Sequence, residues 1–228
     1  MLVKKYLAEV VSIINPVDSL YLLELRSMEK PFKFLPGQFL HLALDEYDPS
    51  RGWPESRCFS IQAQNSPDQI VISFSAKGRF TTRMALELKV GKPVVVKLPY
   101  GSLFHDVPSN STCVFIAGGT GITPFLSLFT DKSFESYKNP RLYAGFRNKN
   151  YNVYETYLSR ANSINSGFEY KIKYEDSEGM LDIAEIFTHE RPDSLFFLSG
   201  PPQMIKIFRQ YLEQSGVDKA NIRTDDWE

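Results

Sequence analysis

The sequence pattern changes once along this chain, close to Pro108, and that change limits the folds the chain can adopt. The preceding residues form short segments rich in β-branched and aromatic side chains, separated by turn-forming pairs such as Pro36-Gly37. The residues that follow alternate between apolar strands and helical patterns. Because these two patterns are typical of different sheet architectures, we predict two domains, residues 1–104 and 105–228.

The first domain contains one helical pattern among six strand-like segments. Helical periodicity is confined to residues 81–88, where Met84 and Leu88 share a face. Short strands with regular turns predict a closed, six-stranded antiparallel β-barrel. The six segments are residues 3–14, 19–26, 38–44, 57–62, 70–75 and 92–98.

The second domain alternates strand and helix, which predicts βαβ units around a parallel sheet in a Rossmann-like α/β fold. The predicted strands are residues 112–117, 141–146, 168–174 and 195–199. The helical patterns are residues 124–129, 153–161, 181–187 and 201–214.

Charge and cysteine content exclude several function classes. The formal net charge is -1, which gives no strong field to attract nucleic acid or an anionic membrane. The chain has two cysteines, Cys58 and Cys113, without a CxxC pair, so we expect no disulfide framework, no metal site and no protein-ligated iron–sulfur cluster. No apolar run approaches the roughly 20 residues of a membrane helix, and the N-terminus lacks a signal-peptide pattern. We therefore expect a cytoplasmic protein.

A glycine-rich turn follows the first strand of the second domain. Residues 118–121 read Gly-Gly-Thr-Gly, and Thr123 and Pro124 begin the next helical pattern. Such a turn lets backbone N–H groups at a helix N-terminus approach an anion. The turn lacks the third glycine of the dinucleotide fingerprint, so a tight strand–helix turn without a ligand is the alternative.

Other strand ends of this domain carry small or charged residues. Gly145 and Arg147 end the second strand, and Ser199, Gly200 and Pro201 end the fourth. Because ligands of open parallel sheets bind at the carboxyl ends of the strands, these residues favour a nucleotide site at that edge. The alternative is that Gly200 and Pro201 only begin a helix.

Two motifs in the barrel place polar groups on a strand and at a helix start. The sequence Arg57-Cys58-Phe59-Ser60 puts its first and third side chains on one side of a strand and the other two on the opposite side. Residues 77–82 read Lys-Gly-Arg-Phe-Thr-Thr, and these threonines can cap a helix or hold a phosphate. A salt bridge and a capped helix are the alternatives.

Taken together, these motifs resemble those of the ferredoxin–NADP⁺ reductase superfamily, and the resemblance spans nearly the whole chain. The superfamily motifs Arg-x-Tyr-Ser, Gly-x-x-Ser/Thr and Pro-x-Gly-x-Phe are similar to residues 57–60, 78–81 and 99–104, the last with one extra residue before the Phe. The motifs Ala-Gly-Gly-Thr-Gly-Ile-x-Pro and Cys-Gly-Pro-Pro-x-Met are similar to residues 117–124 and 199–204.

The resemblance implies a flavin in the barrel and a nicotinamide nucleotide in the α/β domain. Arg57 would hold the flavin phosphate, the ring of Phe59 would stack on the isoalloxazine in place of the usual Tyr, and Ser60 would bond near flavin N5. Ser199, which replaces the usual Cys, would line the hydride-transfer centre together with Ser60, and Thr120 would lie close to the nicotinamide or the pyrophosphate. The other cofactor-binding residues that it implies are Cys58, Ser75, Lys77, Gly78, Arg79, Phe80, Thr81, Thr82, Gly119, Gly121, Thr123, Pro124, Arg147, Gly200, Pro201 and Trp227.

The function that follows from the resemblance is that of an NAD(P)H-dependent flavoprotein reductase. Its electrons would pass to a separate acceptor, either a ferredoxin, an oxygenase component or a free flavin. The alternative is an electron-transfer or regulatory subunit of a larger complex. FAD is expected, with FMN as the alternative, because FAD is the commoner cofactor in stand-alone members. The acidic segment 174–178 disfavours a 2′-phosphate, whereas Arg147 and Lys149 favour one, and we expect NADH over NADPH. Trp227 would cover the flavin, or else belong to a frayed tail.

Overall fold

A computed structural model of the chain describes residues 2–108 and 111–225. The chain divides into two units, Met1–Ser102 and Leu103–Glu228, which are built on different kinds of sheet. Among the described residues, the strand pairs of the first unit are antiparallel and those of the second are parallel. This confirms the fold class predicted from the sequence.

The described residues of the first unit form seven strands and one helix. In chain order these are β1 (Lys4–Val17), β2 (Leu20–Ser27), β3 (Phe39–Ala43), β4 (Ser56–Ser60), β5 (Ala63–Ser66), β6 (Gln69–Ser75), α1 (Arg79–Glu87) and β7 (Pro93–Tyr100). The strands form one sheet in the order β4-β3-β7-β1-β2-β6-β5. The strand that the sequence does not predict is β5, which pairs with β6.

This sheet curls, and its two edge strands are joined by the residues between β4 and β5. Ile61 N donates to Gln38 O at 3.0 Å, next to β3, and Gln62 N donates to Val71 O at 2.8 Å on β6. We call residues 61–62 the seam. One short stretch of backbone thus bonds to both sides of the barrel, so the barrel closes through the seam instead of through a ladder between two full strands.

Apolar side chains from alternate strand positions fill the inside of the curled sheet. Leu25 and Leu42 are fully buried there, and α1 adds Phe80 and Met84. The helix begins two residues before the predicted start because Gly78 serves as its N-cap. Burying each large apolar side chain stabilises the unit by about 1.5–3 kcal/mol.

The described residues of the second unit form five strands and five helices, together with short 3₁₀ turns. In chain order these are β8 (Thr112–Gly118), α2 (Thr123–Phe129), β9 (Lys138–Phe146), α3 (Glu155–Ile164), β10 (Glu169–Tyr174), α4 (Glu175–Glu178), α5 (Ile183–Phe187), β11 (Leu195–Ser199), α6 (Pro202–Gln214) and β12 (Ile222–Thr224). The sheet order is β10-β9-β8-β11-β12. The sequence predicts four of these strands, and the short edge strand β12 is the addition.

Both faces of the parallel sheet are covered, which is why its central strands are apolar throughout. On one face the rings of Phe115 and Phe197 stack at 4.9 Å, and Phe125 from α2 packs edge-on against Phe115. On the other face Ile116 belongs to a cluster with Leu212 of α6. The carboxyl ends of the strands are therefore the edge at which the connecting loops lie.

The longest described helix, α6, has 13 residues. No helix among the described residues is long and apolar enough to cross a membrane. The same residues contain no group of three or more His, Cys, Asp or Glu side chains arranged to hold a metal ion.

Candidate functional site

The strand β8 ends in the glycine turn, which leads directly into α2. Gly118 is the last residue of β8, and Gly119–Ile122 form a 3₁₀ turn before Thr123 begins the helix. Gly119 has a φ of 56°, a conformation that favours glycine. A Cβ at Gly119 would meet no atom within 4 Å. The turn therefore leaves open space at the carboxyl end of β8, as an anion-binding turn requires.

The same turn packs tightly against the residues that follow β11. A Cβ on Gly121 would lie 2.6 Å from Cα of Gly200 and nearer still to the carbonyl group of Ser199. A Cβ on Gly118 would lie 2.8 Å from Cδ of Pro201, the N-cap residue of α6. Glycine at Gly118 and Gly121 thus holds the ends of β8 and β11 together, while Gly119 stays on the open side.

Two predicted cofactor-binding side chains stabilise this turn from within. The hydroxyl of Thr123 donates to the carbonyl O of Thr120 at 2.9 Å, and the side chains of Thr123 and Pro124 are buried in α2. Neither side chain is free to face a ligand. Direct contacts of this turn with a nucleotide would therefore come from its backbone and from Thr120.

The sheet order brings the other predicted residues of this unit to the same edge. Gly118 on β8 lies opposite Gly145 on β9, and Ser199 ends β11 on the other side of β8. Arg147 follows β9 directly, and its Nη1 donates to the hydroxyl of Tyr151 at 3.2 Å. Small residues therefore lie at the centre of this edge, with a cation at its β9 side.

Asp225 is a residue of this edge that the sequence does not single out. The hydroxyl of Ser199, only 2% exposed, donates to Oδ2 of Asp225 at 3.2 Å, and Asp225 is itself 9% exposed. Asp225 N donates to Leu198 O at 3.0 Å, which fixes the carboxylate beside the end of β11. A carboxylate in this position holds the Ser199 proton in a defined direction.

An acidic helix lies next to Arg147. The four-residue α4 follows β10, and Asp176 N donates to the carbonyl O of Arg147 at 3.2 Å. The carboxylate of Glu178 accepts from Tyr174 N at 3.0 Å. The structure thus places the acidic segment and Arg147 at adjacent strand ends, which brings the opposing charges seen in the sequence to one region.

In the antiparallel unit, two predicted cofactor-binding arginines share one carboxylate. Nη2 of Arg57 and Nη2 of Arg79 each lie 3.1 Å from Oε1 of Glu55. The hydrogen bond from Arg79, and then the charges of both arginines, hold the pKa of Glu55 below its usual range. The guanidinium of Arg57 also lies 5.2 Å from the ring centroid of Phe80. Strand β4 and the start of α1 therefore meet at a positively charged pair.

The start of α1 has no side-chain cap, because its N-cap residue is Gly78. The hydroxyl of Thr81 accepts from the N–H groups of Lys77 and Gly78, each at 3.1 Å, and Thr82 N donates to Gly78 O at 2.8 Å. Lys77 N also lies 2.9 Å from the carbonyl O of Ser75, the last residue of β6. A Cβ at Gly78 would meet no atom within 4 Å, so an anion can approach the first turn of the helix.

The two sides of β4 have different surroundings. Phe59 is opposite the core residue Leu40, and its ring packs edge-on against Phe74 with centroids 6.2 Å apart. Cys58 is opposite His41, with its Sγ 3.5 Å from His41 Nε2. Burial raises the pKa of the Cys58 thiol and lowers that of His41, so both groups favour their neutral forms.

Comparisons with known proteins agree with this arrangement. Residues 115–210 match the family described as "Oxidoreductase NAD-binding domain". A flavohemoprotein of Candida norvegensis is 25% identical over 92% of this chain and 52% of its own length. The anthranilate 1,2-dioxygenase electron transfer component of Acinetobacter baylyi is 24% identical over 94% of this chain and 64% of its own length. The chain therefore spans about half the length of the curated relatives it matches.

Solved structures show the same fold at low sequence identity. The flavohem-like FAD/NAD binding domain of nitric oxide dioxygenase from Vibrio cholerae aligns with a TM-score of 0.79 at 19% identity, over 97% of this chain and 98% of that one. A ferredoxin NADP⁺ reductase from Neisseria gonorrhoeae aligns with a TM-score of 0.79 at 18% identity and the same coverage.

In sequence and fold, the chain is similar to members of the ferredoxin–NADP⁺ reductase-like superfamily. Two residues differ in type from the motifs of that superfamily, and the structure shows what surrounds each of them. Phe59, in place of Tyr, is 8% exposed and belongs to the apolar core, where a hydroxyl would need a partner. Ser199, in place of Cys, donates to Asp225. Trp227 lies outside the described residues.

Three residues close to these motifs, Glu55, Gln62 and Asp225, have no signal in the sequence pattern. Each acts through a partner that is distant along the chain or on another element. A carboxylate or an amide in a loop looks like an ordinary solvated side chain until the fold brings its partner close. The motif residues could be found in advance because glycine, arginine and serine at fixed spacings point to a known chemistry.

Proposed function

We propose that the antiparallel unit binds FAD, that the parallel unit binds NAD(P)H, and that the chain passes electrons from the nicotinamide through the flavin to a separate acceptor. The observation that carries this proposal is the carboxyl edge of the parallel sheet. There the open turn at Gly119 and the end of β11 at Ser199 both lie within the segment that matches an NAD-binding family. A structure with this fold has bound FAD and NADP, which supports the same pair of cofactors.

The residues around the start of α1 fit the phosphates of FAD. Two guanidinium groups, those of Arg57 and Arg79, converge on one point, and the helix start at Gly78 is uncapped and open. These groups would hold the pyrophosphate by charge and by backbone N–H donation. Thr81 would position the loop through its bonds with the preceding amides. Glu55 would compete with the phosphate for both arginines.

Each unit contributes one buried serine to the residues that we propose for hydride transfer, Ser60 in the antiparallel unit and Ser199 in the parallel unit. When bound, a flavin accepts a hydride from a reduced nicotinamide and passes the electrons on. The protein holds the two rings and excludes water, and Ser60 and Ser199 are only 9% and 2% exposed. The Ser199 proton is directed at Asp225, so Ser199 offers its oxygen lone pairs, and not its proton, to other groups. We assign both serines a lining and orienting role.

NADH is the nucleotide that we propose over NADPH. The carboxylates of Glu175 and Asp176 follow β10, at the carboxyl edge of the sheet, where ligands of open parallel sheets bind. A 2′-phosphate near them would be repelled. Arg147 opposes this effect, but its guanidinium is engaged with Tyr151, both by hydrogen bond and over the ring at 5.1 Å.

The acceptor that we propose is a separate protein or a small molecule. Relatives described as an electron transfer component and as a reductase component of a terephthalate dioxygenase support a partner of the oxygenase or ferredoxin type. Free flavin is the small-molecule candidate. Because this chain spans about half of its relatives, the acceptor is best found by assay with each class in turn.

The experiment that tests the proposal is anaerobic reduction of the reconstituted protein. The purified chain is loaded with FAD or with FMN, and the flavin absorbance is followed after addition of NADH and then NADPH. We expect FAD to bind, NADH to bleach it, and NADPH to act more slowly. Cytochrome c, ferricyanide and free FMN then serve as acceptors under turnover.

Each outcome of this experiment bears on a different part of the proposal. Failure to bind either flavin would contradict the assignment of the antiparallel unit. Binding of flavin without bleaching by either nucleotide would contradict the reductase and would support an electron-transfer or regulatory subunit. Equal rates of flavin reduction by both nucleotides would show that the acidic segment does not discriminate between NADH and NADPH.

A further inference from the structure

Gln62 lies in the seam of the barrel and is completely buried. Its side chain has 0% exposure, although its backbone belongs to neither β4 nor β5. The backbone N–H is satisfied by Val71 O at 2.8 Å. Glutamine is seldom buried to this degree unless both ends of its amide are hydrogen-bonded.

Only one end of the Gln62 amide has a partner among the described residues. The hydroxyl of Ser73 donates to Gln62 Oε1, whereas Nε2 of Gln62 has no hydrogen-bond partner. Rotating the amide by half a turn would pair Nε2 with Ser73 and leave Oε1 without a partner instead. A primary amide has two donors and two acceptor positions, so in either orientation one buried end lacks a hydrogen-bond partner among the described residues.

Gln62 and its partner Ser73 differ in character from the apolar residues next to them along the chain. The neighbouring residue Ile61, as well as Ile72 and Phe74 on β6, belong to the core cluster. Gln62 and Ser73 do not, although Ser73 is only 7% exposed. Strand alternation places Ser73 on the face of β6 opposite Ile72 and Phe74.

Ser60 is buried two residues before Gln62, at the end of β4. It is 9% exposed, and it is one of the two serines that we place at the reacting centre. The seam therefore continues directly from the strand that carries the proposed flavin motif.

We propose that Gln62 contacts the flavin ring, with its Nε2 donating a hydrogen bond to a carbonyl oxygen of the pyrimidine portion, and that Ser73 positions the amide. The pyrimidine portion of a flavin carries two carbonyl oxygens and one N–H. The unpaired N–H groups of the Gln62 amide can donate to such a carbonyl oxygen. The inference rests on the proposed function, because it needs a flavin in the antiparallel unit. It extends that proposal by assigning a ring contact outside the recognised motif.

The test compares Gln62→Met with Gln64→Met. Methionine keeps the length of the side chain and removes the donor, and Gln64 is an exposed residue of β5 whose amide bonds only weakly, to Pro67 O at 3.4 Å. Apoprotein of each variant is titrated with FAD, and the flavin C=O stretching bands are recorded by infrared difference spectroscopy. We expect Gln62→Met to bind FAD about 3- to 10-fold more weakly, the effect of one lost net hydrogen bond, and to raise one C=O frequency. Gln64→Met is expected to match the wild type in both measurements.

A third variant covers the case in which Gln62→Met does not fold. Ser73→Ala keeps the glutamine and removes the group that orients it, and it is expected to weaken FAD binding by about 2- to 3-fold while broadening the same C=O band. Apoprotein thermal midpoints separate folding from binding in every variant.

The possible results are distinct. Wild-type affinity and unchanged C=O bands in both Gln62→Met and Ser73→Ala would overturn the inference and leave an internal water as the partner of Nε2. Wild-type protein that binds no FAD would refute the proposed function itself, before any variant is compared. Weaker binding with a shifted carbonyl band in Gln62→Met, and wild-type behaviour of Gln64→Met, would establish the contact.

Discussion

The two units present their candidate ligand groups in different ways. At the carboxyl edge of the parallel sheet the groups are mostly backbone, because Gly118 and Gly121 let the strand ends approach closely and Gly119 leaves open space. In the antiparallel unit they are mostly side chains, with Arg57 and Arg79 converging on a shared carboxylate.

Because of this difference, substitutions in the two units should affect stability and ligand binding in different ways. A site made of backbone cannot be changed without moving the strands that form it, so substitutions there are expected to reduce stability and binding together. A site made of partly exposed side chains can lose its ligand affinity while the fold persists.

The largest expected effect is that of Gly121→Ala. The new Cβ would lie 2.6 Å from Gly200 Cα and nearer still to the backbone of Ser199, and these atoms cannot yield without separating the strand ends. We expect a loss of more than about 3 kcal/mol in the free energy of unfolding. Urea denaturation followed by far-UV circular dichroism measures this loss.

The control for that substitution is Gly119→Ala in the same turn. Its Cβ would enter open space, so the cost is limited to the positive φ of 56°, roughly 1 kcal/mol. Equal destabilisation by Gly119→Ala and Gly121→Ala would show that close packing does not govern this edge.

Arg57→Ala is expected to affect binding and not folding. Hydrogen bonds to charged groups contribute about 1.5–3 kcal/mol, so the Kd for FAD should rise about 10- to 100-fold. The side chain is 51% exposed, and the urea midpoint should hardly change. Arg51→Ala is the matched control, since Arg51 is 85% exposed and pairs with the nearby Asp48. A comparable loss of affinity in both variants would argue against a specific phosphate contact.

Ser199→Ala is expected to produce a smaller, mixed effect. It removes the hydrogen bond to Asp225 inside the parallel edge and should lower the free energy of unfolding by about 1 kcal/mol. The rate of flavin reduction by NADH should also fall, because the edge loses an orienting group. Ser199→Cys keeps a weak donor and the side-chain volume, so its losses should be smaller. If Ser199→Ala reduced flavin at the wild-type rate, Ser199 would have only a structural role.

The smallest expected effect concerns the charges around Glu185 on α5. Hydrogen bonds from Lys171 and Lys173 lower the pKa of Glu185 from 4.5 to about 2. Because this pKa is depressed in the folded state, the stabilisation is fully present above pH 4.5 and is lost as the pH falls toward about 2. The difference in urea midpoint between wild type and Glu185→Gln should therefore be larger at neutral pH than at the acid end of this window. High salt should also diminish it, since the group is exposed. A difference that did not vary with pH would contradict this assignment.

Much of the fold could be predicted from local patterns. The strand-rich half, the alternating half and the helix that became α6 each depend on periodicities within a few residues, and the observed α6 begins one residue from its predicted start. The strand ends could also be placed together, because parallel strands carry their carboxyl ends to one edge. Motif residues such as Gly121 could be named for the same reason: glycine is required where backbones meet closely.

The order of the elements, the two kinds of sheet and the residue types that suit phosphate and flavin chemistry could therefore be predicted, because they follow from local spacing. Which groups become partners depends on the three-dimensional fold. It paired Glu55 with two arginines, turned Asp225 toward Ser199, and buried Gln62 with one end of its amide unsatisfied. The physical reason is that burial and hydrogen bonding depend on atoms that are distant along the chain, and no local pattern records where those atoms will lie.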